Sequence, residues 1–453
     1  MIPVETLRSE VDSRFDEYLQ TLFRLLRQPS ISAQGVGVDE CAGLVVQTLE
    51  SAGIDARILQ TEGSPVAYGE VGPDDAKFTL LVYGHYDVQP PEPLDEWHSE
   101  PFEPTIRDGR IYARGVGDNK GQFLGSILAF KLLSELGAAP GIKLKFLIEG
   151  EEENGSRNLR SFVNAHRDLL KADAFFAADG PQHPSGRPVV FFGVRGMLAA
   201  EVKVRGANRD LHSGNWGGPI PNGAWKLVEL LSTMRTPEGR AAIEGFYDGV
   251  EPPTDFERKL LEEIPFDEEG TKAHLGITGF DGPADMSYYE KIMFQPTFTI
   301  AGLNSGYTGE GKKSVIPSEA VVRLECRLVP GQQPDQVLEA IEQHVRMYVP
   351  DAEVRKLAGQ PPSKTSPELP ISQTAVAAMA DAYGVNPVVM PLLGATAPNY
   401  IFTDDLGLPA IWTTYANYDE DNHAPNENMT LQAFRDGIVA SSVLFQKIAA
   451  EYS

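Results

Sequence analysis

A chain of 453 residues is long enough for two or three domains, each with its own hydrophobic core. Hydrophobic residues make up 42% of it and charged residues 23%, as in ordinary globular proteins, and no apolar stretch approaches the length of a membrane span. The net charge of −25 argues against a nucleic-acid partner, because binding to phosphates depends on lysine and arginine. We therefore expect a globular protein that binds neither nucleic acid nor a membrane.

The N-terminus and the two cysteines indicate a cytoplasmic protein. The segment MIPVETLRSEVDSRFDEYL carries charges throughout and lacks the apolar core of a signal peptide. Cys41 and Cys326 have neither a second cysteine nor a histidine at metal-ligand spacing, so we expect no disulfide framework and no thiolate zinc site. A reducing compartment fits this cysteine usage best.

Helices and apolar strands alternate through the first 194 residues. The predicted helices span 5–27, from a cap at Asp39 to Gly53, and 123–136. The predicted strands span 65–71, 78–84, 144–150 and 174–178. Near-continuous apolar strands separated by helices are typical of a mostly parallel sheet that is covered on both faces.

The pattern changes near Val194. Segments 196–206 and 319–331 alternate apolar with polar residues, as strands with one solvated face do, and helices are predicted at 222–234 and 334–348. Residues 236–290 are rich in Glu, Asp, Gly and Pro and are predicted to be irregular. We expect an antiparallel sheet with two helices on one face, which makes a compact α+β domain.

The α/β pattern returns from about Pro361. It contains a predicted helix at 372–383, a strand at 409–416 and a final helix at 431–450. The simplest partition is an α/β domain in two parts, residues 1–194 and 361–453, interrupted by a smaller inserted α+β domain at residues 195–360.

Acidic residues and histidines gather where the predicted strands end. They are His85, Asp87, Asp118, the run from Glu149 to Glu153, Asp179 and His423. Any one of them alone is more often a surface feature, but ligands of an open parallel sheet bind beyond the carboxyl ends of its strands. Oxygen and imidazole donors without a thiolate suit Zn²⁺, Mn²⁺ or Co²⁺. The joint placement therefore predicts a metal site at this edge of the sheet.

The segments that carry these residues resemble, in their order along nearly the whole chain, the two-zinc aminoacylase and carnosinase type of metallopeptidase. That family includes acetylornithine deacetylase, succinyl-diaminopimelate desuccinylase, carboxypeptidase G and the cytosolic non-specific dipeptidases. The matching segments are GHYDVQP (84–90), RGVGDNKG (114–121), EGEEENGS (149–156), AADG (177–180), DLHSGNWGG (210–218), GYTGEGKKSVIP (306–317), RLECRLVPG (323–331) and DNHAPNE (421–427). HSGNWGG, and GYTGEG followed by SVIP, resemble the dipeptidase and carnosinase branch most.

The resemblance implies a dinuclear metal site. Asp118 would bridge two divalent ions, His85 and Asp179 would complete the protein ligands of one ion, and Glu153 and His423 those of the other. Zn²⁺ is the expected metal, with Mn²⁺ and Co²⁺ as alternatives.

The resemblance also assigns the catalytic groups. Glu152 would be the general base toward a metal-bridging hydroxide, and Asp87 would orient the His85 imidazole. His212, from the inserted lid and dimerisation domain of a homodimer, would donate to the developing oxyanion.

Three residues are assigned to substrate binding. Arg327 would hold the substrate carboxylate through its planar guanidinium. Gly394 and Thr396 belong to Gly394-Ala395-Thr396, which stands where many relatives have a glycine-glycine-serine turn.

The metal ligand at position 179 favours one activity. Deacylases and carboxypeptidases of the family often have Glu there, whereas Asp goes with aminopeptidase and dipeptidase activity. We expect a hydrolase of dipeptides or short peptides that bear a free carboxylate, with an N-acyl-amino-acid deacylase of the same mechanism as the alternative. A serine hydrolase is disfavoured because no Gly-x-Ser-x-Gly elbow follows a strand. A non-catalytic binding protein is disfavoured because all five presumed ligands and the base are present.

Overall fold

The computed structural model describes residues 1–452. Its helices are α1 (Val4–Arg27), α2 (Val38–Ser51), α3 (Gly121–Glu135), α4 (Leu159–Ala165), α5 (Arg167–Leu170), α6 (Ser213–Trp216), α7 (Gly223–Met234), α8 (Asp255–Glu263), α9 (Glu268–Leu275), α10 (Tyr288–Phe294), α11 (Pro334–Tyr348), α12 (Pro370–Tyr383) and α13 (Leu431–Tyr452). Its strands are β1 (Asp55–Leu59), β2 (Val66–Val71), β3 (Thr79–His85), β4 (Thr105–Arg107), β5 (Arg110–Tyr112), β6 (Lys143–Glu149), β7 (Ala174–Ala178), β8 (Val189–Phe191), β9 (Gly193–Val194), β10 (Gly196–Arg205), β11 (Leu211–His212), β12 (Thr299–Ser305), β13 (Val315–Ile316), β14 (Glu319–Leu328), β15 (Glu353–Gln360), β16 (Ser363–Lys364), β17 (Val388–Met390), β18 (Ala410–Thr413) and β19 (Asn428–Thr430).

The larger sheet has eight strands in the order β1-β2-β6-β3-β7-β18-β8-β17. Its central pairs β6-β3, β3-β7 and β7-β18 are parallel. Side chains of β3 alternate between two hydrophobic cores: Leu80 and Val82 pack on one face, and Leu81 and Tyr83 on the other. The predicted α/β fold class, with a mainly parallel sheet covered on both faces, is confirmed.

The smaller sheet is antiparallel, with strand order β12-β14-β10-β15. Burial alternates residue by residue along β10, as the apolar pattern predicted. Helices α7 and α11 pack against it, and their apolar side chains complete a third hydrophobic core.

Two short strands carry the chain between the sheets. The chain leaves the larger sheet through β9, next to Val194, and returns through β16. These strands pair antiparallel, with Ser363 opposite Val194 and Lys364 opposite Gly193. The outgoing and returning segments therefore lie side by side.

Two predicted elements were wrong. Helix α2 begins at Val38 after Gly37, so Asp39 lies inside its first turn rather than at its cap. The segment 236–290 was predicted to be irregular, but it holds α8 and α9 and the start of α10. The prediction failed because the segment is rich in acidic residues, although some of its apolar side chains, such as Leu261, pack against the core of the larger sheet.

No helix in residues 1–452 is both long enough and apolar enough to cross a membrane.

Candidate active site

The candidate site lies at the carboxyl ends of the central parallel strands. His85 is the last residue of β3, Glu149 is the last residue of β6 opposite it, and Asp179 follows β7 directly. Because these strands are neighbours in the sheet, residues far apart in sequence meet at one edge. The structure therefore brings these predicted residues together at the carboxyl edge of the larger sheet.

Five of the predicted residues form two groups that share Asp118. His85 Nε2 lies 3.1 Å from Asp118 Oδ1 and 3.7 Å from Asp179 Oδ2. His423 Nε2 lies 3.0 Å from Asp118 Oδ2 and 3.1 Å from Glu153 Oε2. Each oxygen of Asp118 thus faces a different histidine.

Unpartnered polar atoms show that this donor set fits divalent cations. His85 is fully buried, and its Nε2 has no hydrogen-bond partner of acceptable geometry among the described residues. Glu420, three residues before His423, is 2% exposed, and neither of its carboxylate oxygens has a partner there. Buried polar groups are costly unless they are paired. A cation bound beside Asp118 would compensate the unpartnered His85 Nε2 and the negative charge of the Glu420 carboxylate.

The pKa values of Asp118 and His423 reflect the close pairing of carboxylates with imidazoles in this cluster. Burial alone raises the pKa of Asp118, but the hydrogen bond with His423 and the close approach of the His85 imidazole outweigh burial and leave this pKa below its usual range. Hydrogen bonds with Asp118 and Glu153 raise the pKa of His423 to about 10.

Glu152 lies beside the two groups and lines the cavity in front of them. Burial raises its pKa well above the usual value, and the carboxylates of Asp179, Glu153 and Asp118 add to the rise, while His85 opposes it. A carboxylate with a raised pKa is suited to accepting and returning a proton near neutral pH.

Glu151 is engaged elsewhere. Its carboxylate accepts hydrogen bonds from the backbone N–H of Ser64 and from the backbone N–H and side-chain amide of Asn158. It therefore anchors the loop after β6, whereas its neighbours Glu152 and Glu153 line the cavity.

Asp87 is fully buried beneath the site. His85 Nδ1 lies 3.1 Å from the backbone carbonyl oxygen of Asp87 and 3.4 Å from its Oδ1. The carboxylate itself accepts hydrogen bonds from the backbone N–H groups of Glu152 and Glu153. Asp87 thus contacts the imidazole as predicted, mainly through its main chain, and also holds the turn that carries Glu152 and Glu153.

The cavity in front of the cluster has a volume of about 650 Å³ and takes its walls from both sheets. Arg327, on β14, donates from Nη1 to Thr396 Oγ1 at 2.8 Å, and its Nη2 lies 2.7 Å from Glu325 Oε1. The structure therefore brings Arg327 and Thr396 together on the cavity wall, with part of the guanidinium already bound to a carboxylate.

The third predicted substrate residue, Gly394, lies behind this wall. Its carbonyl oxygen accepts a hydrogen bond of 2.7 Å from Arg195 Nε. A Cβ atom at Gly394 would lie 2.6 Å from Ile292 Cγ2, so a side chain would force the turn away from α10. Gly394 thus shapes the wall through its backbone.

Arg195 is a functional candidate that sequence reasoning missed. It stands between β9 and β10, and burial together with the neighbouring Arg327 lowers its pKa to about 10, while Glu325 opposes the shift. Within residues 1–452 it has no ion pair of its own, so the two guanidiniums share the charge of Glu325. The sequence feature that could have identified Arg195 is its position as a charged residue between two apolar strands.

His212 is not part of this cluster within one chain. It lies on β11, which pairs with β13, and is exposed to solvent. Its Nδ1 accepts a hydrogen bond from the Gly214 backbone N–H. The residues that line the cavity do not include it.

Comparison with known proteins agrees with this geometry. The profile of the peptidase family M20/M25/M40 matches residues 81–447, which contain every member of both groups. The chain belongs to this family. As an M20 peptidase it is a metal-dependent hydrolase of amide bonds, and the predicted family resemblance is confirmed.

Individual relatives are similar over nearly the whole chain. The Cys-Gly metallodipeptidase dug1 of Schizosaccharomyces pombe is 29% identical over 96% of this chain and 96% of its own length. The structure of the M20 metallo-carboxypeptidase Sso-CP2 from Sulfolobus solfataricus superimposes with a TM-score of 0.89 and 35% identity, covering 96% of this chain and 99% of that chain. Human carnosine dipeptidase 1 superimposes with a TM-score of 0.80 and 26% identity, covering 99% of both chains.

Proposed function

We propose that this M20 peptidase is a dipeptidase with two metal positions joined by Asp118. The observation that carries the proposal is the division of the Asp118 carboxylate, with one oxygen facing His85 and Asp179 and the other facing His423 and Glu153. We propose Zn²⁺ as the metal, with Mn²⁺ and Co²⁺ as alternatives, because the donors are imidazoles and carboxylates without a thiolate.

The protein groups divide the chemistry among them. Two bound divalent ions would acidify a water molecule and polarise the scissile carbonyl. Glu152 takes the proton of the attacking water and returns it to the leaving amine, for which its raised pKa is suited. Asp87 positions both the turn that carries Glu152 and the His85 imidazole.

Recognition of a free carboxylate is proposed for the wall that holds Arg327 and Thr396. Arg327 and Arg195 carry two positive charges against the one carboxylate of Glu325, so a substrate carboxylate would restore the balance. A planar guanidinium suits such a ligand because it offers two parallel N–H donors. The substrate then lies with its scissile bond toward Glu152 and its C-terminus toward β14.

Two observations support a dipeptidase over a deacylase of N-acyl amino acids. The ligand at position 179 is Asp, which in this family accompanies aminopeptidase and dipeptidase activity. Relatives that match most of the chain bear the names Cys-Gly metallodipeptidase and carnosine dipeptidase.

We further propose a homodimer formed by the inserted lid domain, residues 195–360, with residues 1–194 and 361–453 as the catalytic domain. Large apolar side chains are exposed on α7 and β12, including Trp225 at 65% and Leu303 at 54%. A second copy that covers them would stabilise the dimer. The exposed His212 would then act as oxyanion donor in the partner's site.

The test is a substrate panel on metal-free protein reconstituted with Zn²⁺, Mn²⁺ or Co²⁺. The panel pairs unblocked dipeptides with their N-acetylated forms. We expect hydrolysis of the unblocked dipeptides, loss of activity with a chelator and recovery with metal. Preference for the acetylated forms would instead identify a deacylase.

A further inference from the structure

Glu427 is a buried carboxylate, 1% exposed, in the segment between His423 and β19. Its Oε2 accepts hydrogen bonds of 2.9 Å from Arg114 Nη1 and from the Gly115 backbone N–H. Its Oε1 accepts from the backbone N–H groups of Gly117 at 3.0 Å and Asp118 at 3.1 Å. Both oxygens are therefore occupied by donors of one short turn, residues 114–118, which ends at the shared carboxylate Asp118.

That turn depends on an acceptor from outside. Three of its N–H groups point at Glu427, and buried N–H groups without a partner are rare because they are costly. A side chain at Gly117 would overlap Glu420 Oε2, so the turn packs too closely to move toward another acceptor. A carboxylate with two acceptor oxygens fits these donors, whereas an amide would present its own NH₂ group to two of them.

Glu427 also belongs to the segment that carries His423. Its carbonyl oxygen accepts a hydrogen bond from the Ala113 backbone N–H, and the following residue, Asn428, pairs with Tyr112 on β5. One residue thus fixes the segment of His423 to the turn of Asp118. His423 Nε2 lies 3.0 Å from Asp118 Oδ2 across this connection.

From this geometry we propose that Glu427 is a positioning residue for both metal positions. It acts through Asp118, whose two oxygens face the two groups, and through the segment of His423, and it touches neither substrate nor metal. Loss of Glu427 is expected to weaken metal binding at both positions together. The inference rests on the proposed dinuclear site.

The test measures metal affinity rather than activity. Metal-free wild type, Glu427→Gln and Glu257→Gln are titrated with Zn²⁺ against a chromophoric chelator, and bound metal is counted by elemental analysis. Glu257 is a matched control because it is equally buried and paired with a cation, Lys364 at 3.0 Å, outside both metal groups. We expect Glu427→Gln to lower the affinity of both positions by about 10- to 100-fold, the range for residues that orient metal ligands, and Glu257→Gln to leave it unchanged.

The metal titration has outcomes that would overturn the role of Glu427. Wild-type affinity at both positions of Glu427→Gln would overturn the proposal, as would an equal loss in Glu257→Gln, which would mark a general effect of destabilisation. A wild-type protein that binds no Zn²⁺, Mn²⁺ or Co²⁺ would refute the proposed function itself. If circular dichroism shows that Glu427→Gln does not fold, the same metal titration is made with Arg114→Lys. This variant keeps the charge but loses the guanidinium donor, so weaker binding at both positions supports the proposal and unchanged binding overturns it.

Discussion

The Asp87 carboxylate accepts hydrogen bonds from the backbone N–H groups of Glu152 and Glu153, at 3.2 Å from Oδ1 and 3.1 Å from Oδ2. The same residue contacts the His85 imidazole through its carbonyl oxygen. Asp87 therefore connects the proposed base Glu152, one presumed ligand of each proposed metal position and the end of β3.

This connection predicts the effect of Asp87→Asn. The new NH₂ group would face an N–H donor, so the turn of Glu152 and Glu153 would shift. We expect turnover and metal affinity to fall by about 10- to 100-fold, as for other residues that orient ligands. Asp39→Asn, on the surface of α2, is the control and should change neither quantity. Wild-type turnover and affinity in Asp87→Asn would contradict this reading.

Metal content should respond differently to the two kinds of ligand. Asp118→Ala should remove both ions because both groups share that carboxylate, whereas His423→Ala should mainly weaken one. Elemental analysis after dialysis measures the number of ions per chain. Full occupancy in Asp118→Ala would refute the bridging role.

Glu152→Gln should keep both metals and the affinity for substrate. Its turnover should fall by roughly 10²- to 10⁴-fold, the range for a positioned acid–base group. Glu151→Gln is the matched control: it should lower the temperature of unfolding, since Glu151 holds Ser64 and Asn158, but retain activity. An inactive Glu151→Gln beside an active Glu152→Gln would reverse the assignment.

The cavity wall that holds Arg327 and Thr396 is proposed to bind the substrate carboxylate, so the enzyme should require a substrate with a free C-terminus. Amidation of a good dipeptide substrate should remove most of its kcat/KM, and Arg327→Lys should be nearly as harmful as Arg327→Ala, because an ammonium group cannot reproduce the two parallel donors. Arg323→Ala, on the same strand but paired with Glu201, is the control. Equal kcat/KM for the free and amidated dipeptides in wild type would exclude this wall as a carboxylate site.

Complementation between inactive chains tests the role of His212. If it acts across a dimer, mixing His212→Ala with Glu152→Gln under subunit exchange yields mixed dimers with one intact site. Activity should then approach about a quarter of wild type for random pairing of equal amounts. A mixture of Asp118→Ala with Glu152→Gln should show no recovery, because each change disables the site of its own chain and neither can be supplied by the partner. No recovery in the first mixture, despite proven exchange, would mean that His212 does not act across the interface.

The sequence predicted those features that depend on local pattern. Continuous apolar strands predicted the larger sheet, alternation predicted β10 and β14, and the residues at strand ends predicted which side chains meet. The family resemblance then gave each of these side chains an expected role.

Features that depend on long-range packing were missed. Arg195 becomes notable only because the fold places Arg327 beside it, and Glu427 only because its carboxylate meets a turn more than 300 residues earlier in the chain. The apolar side chains of α8 and α10 lie in an acidic segment, and their burial against the larger sheet is a tertiary contact that no local pattern encodes.

The pairing of β9 with β16 has a consequence for how the molecule is joined. The chain leaves the larger sheet at Gly193 and returns opposite it at Lys364, so the intervening residues begin and end at the same place. A long excursion that starts and finishes at the same place adds almost no distance between the two parts of the larger sheet. The excursion is also held against the larger sheet by α8 and α10, whose apolar side chains pack into its core. The cavity walls that carry Arg327 and Glu152 are therefore joined by packing as well as by the two paired strands.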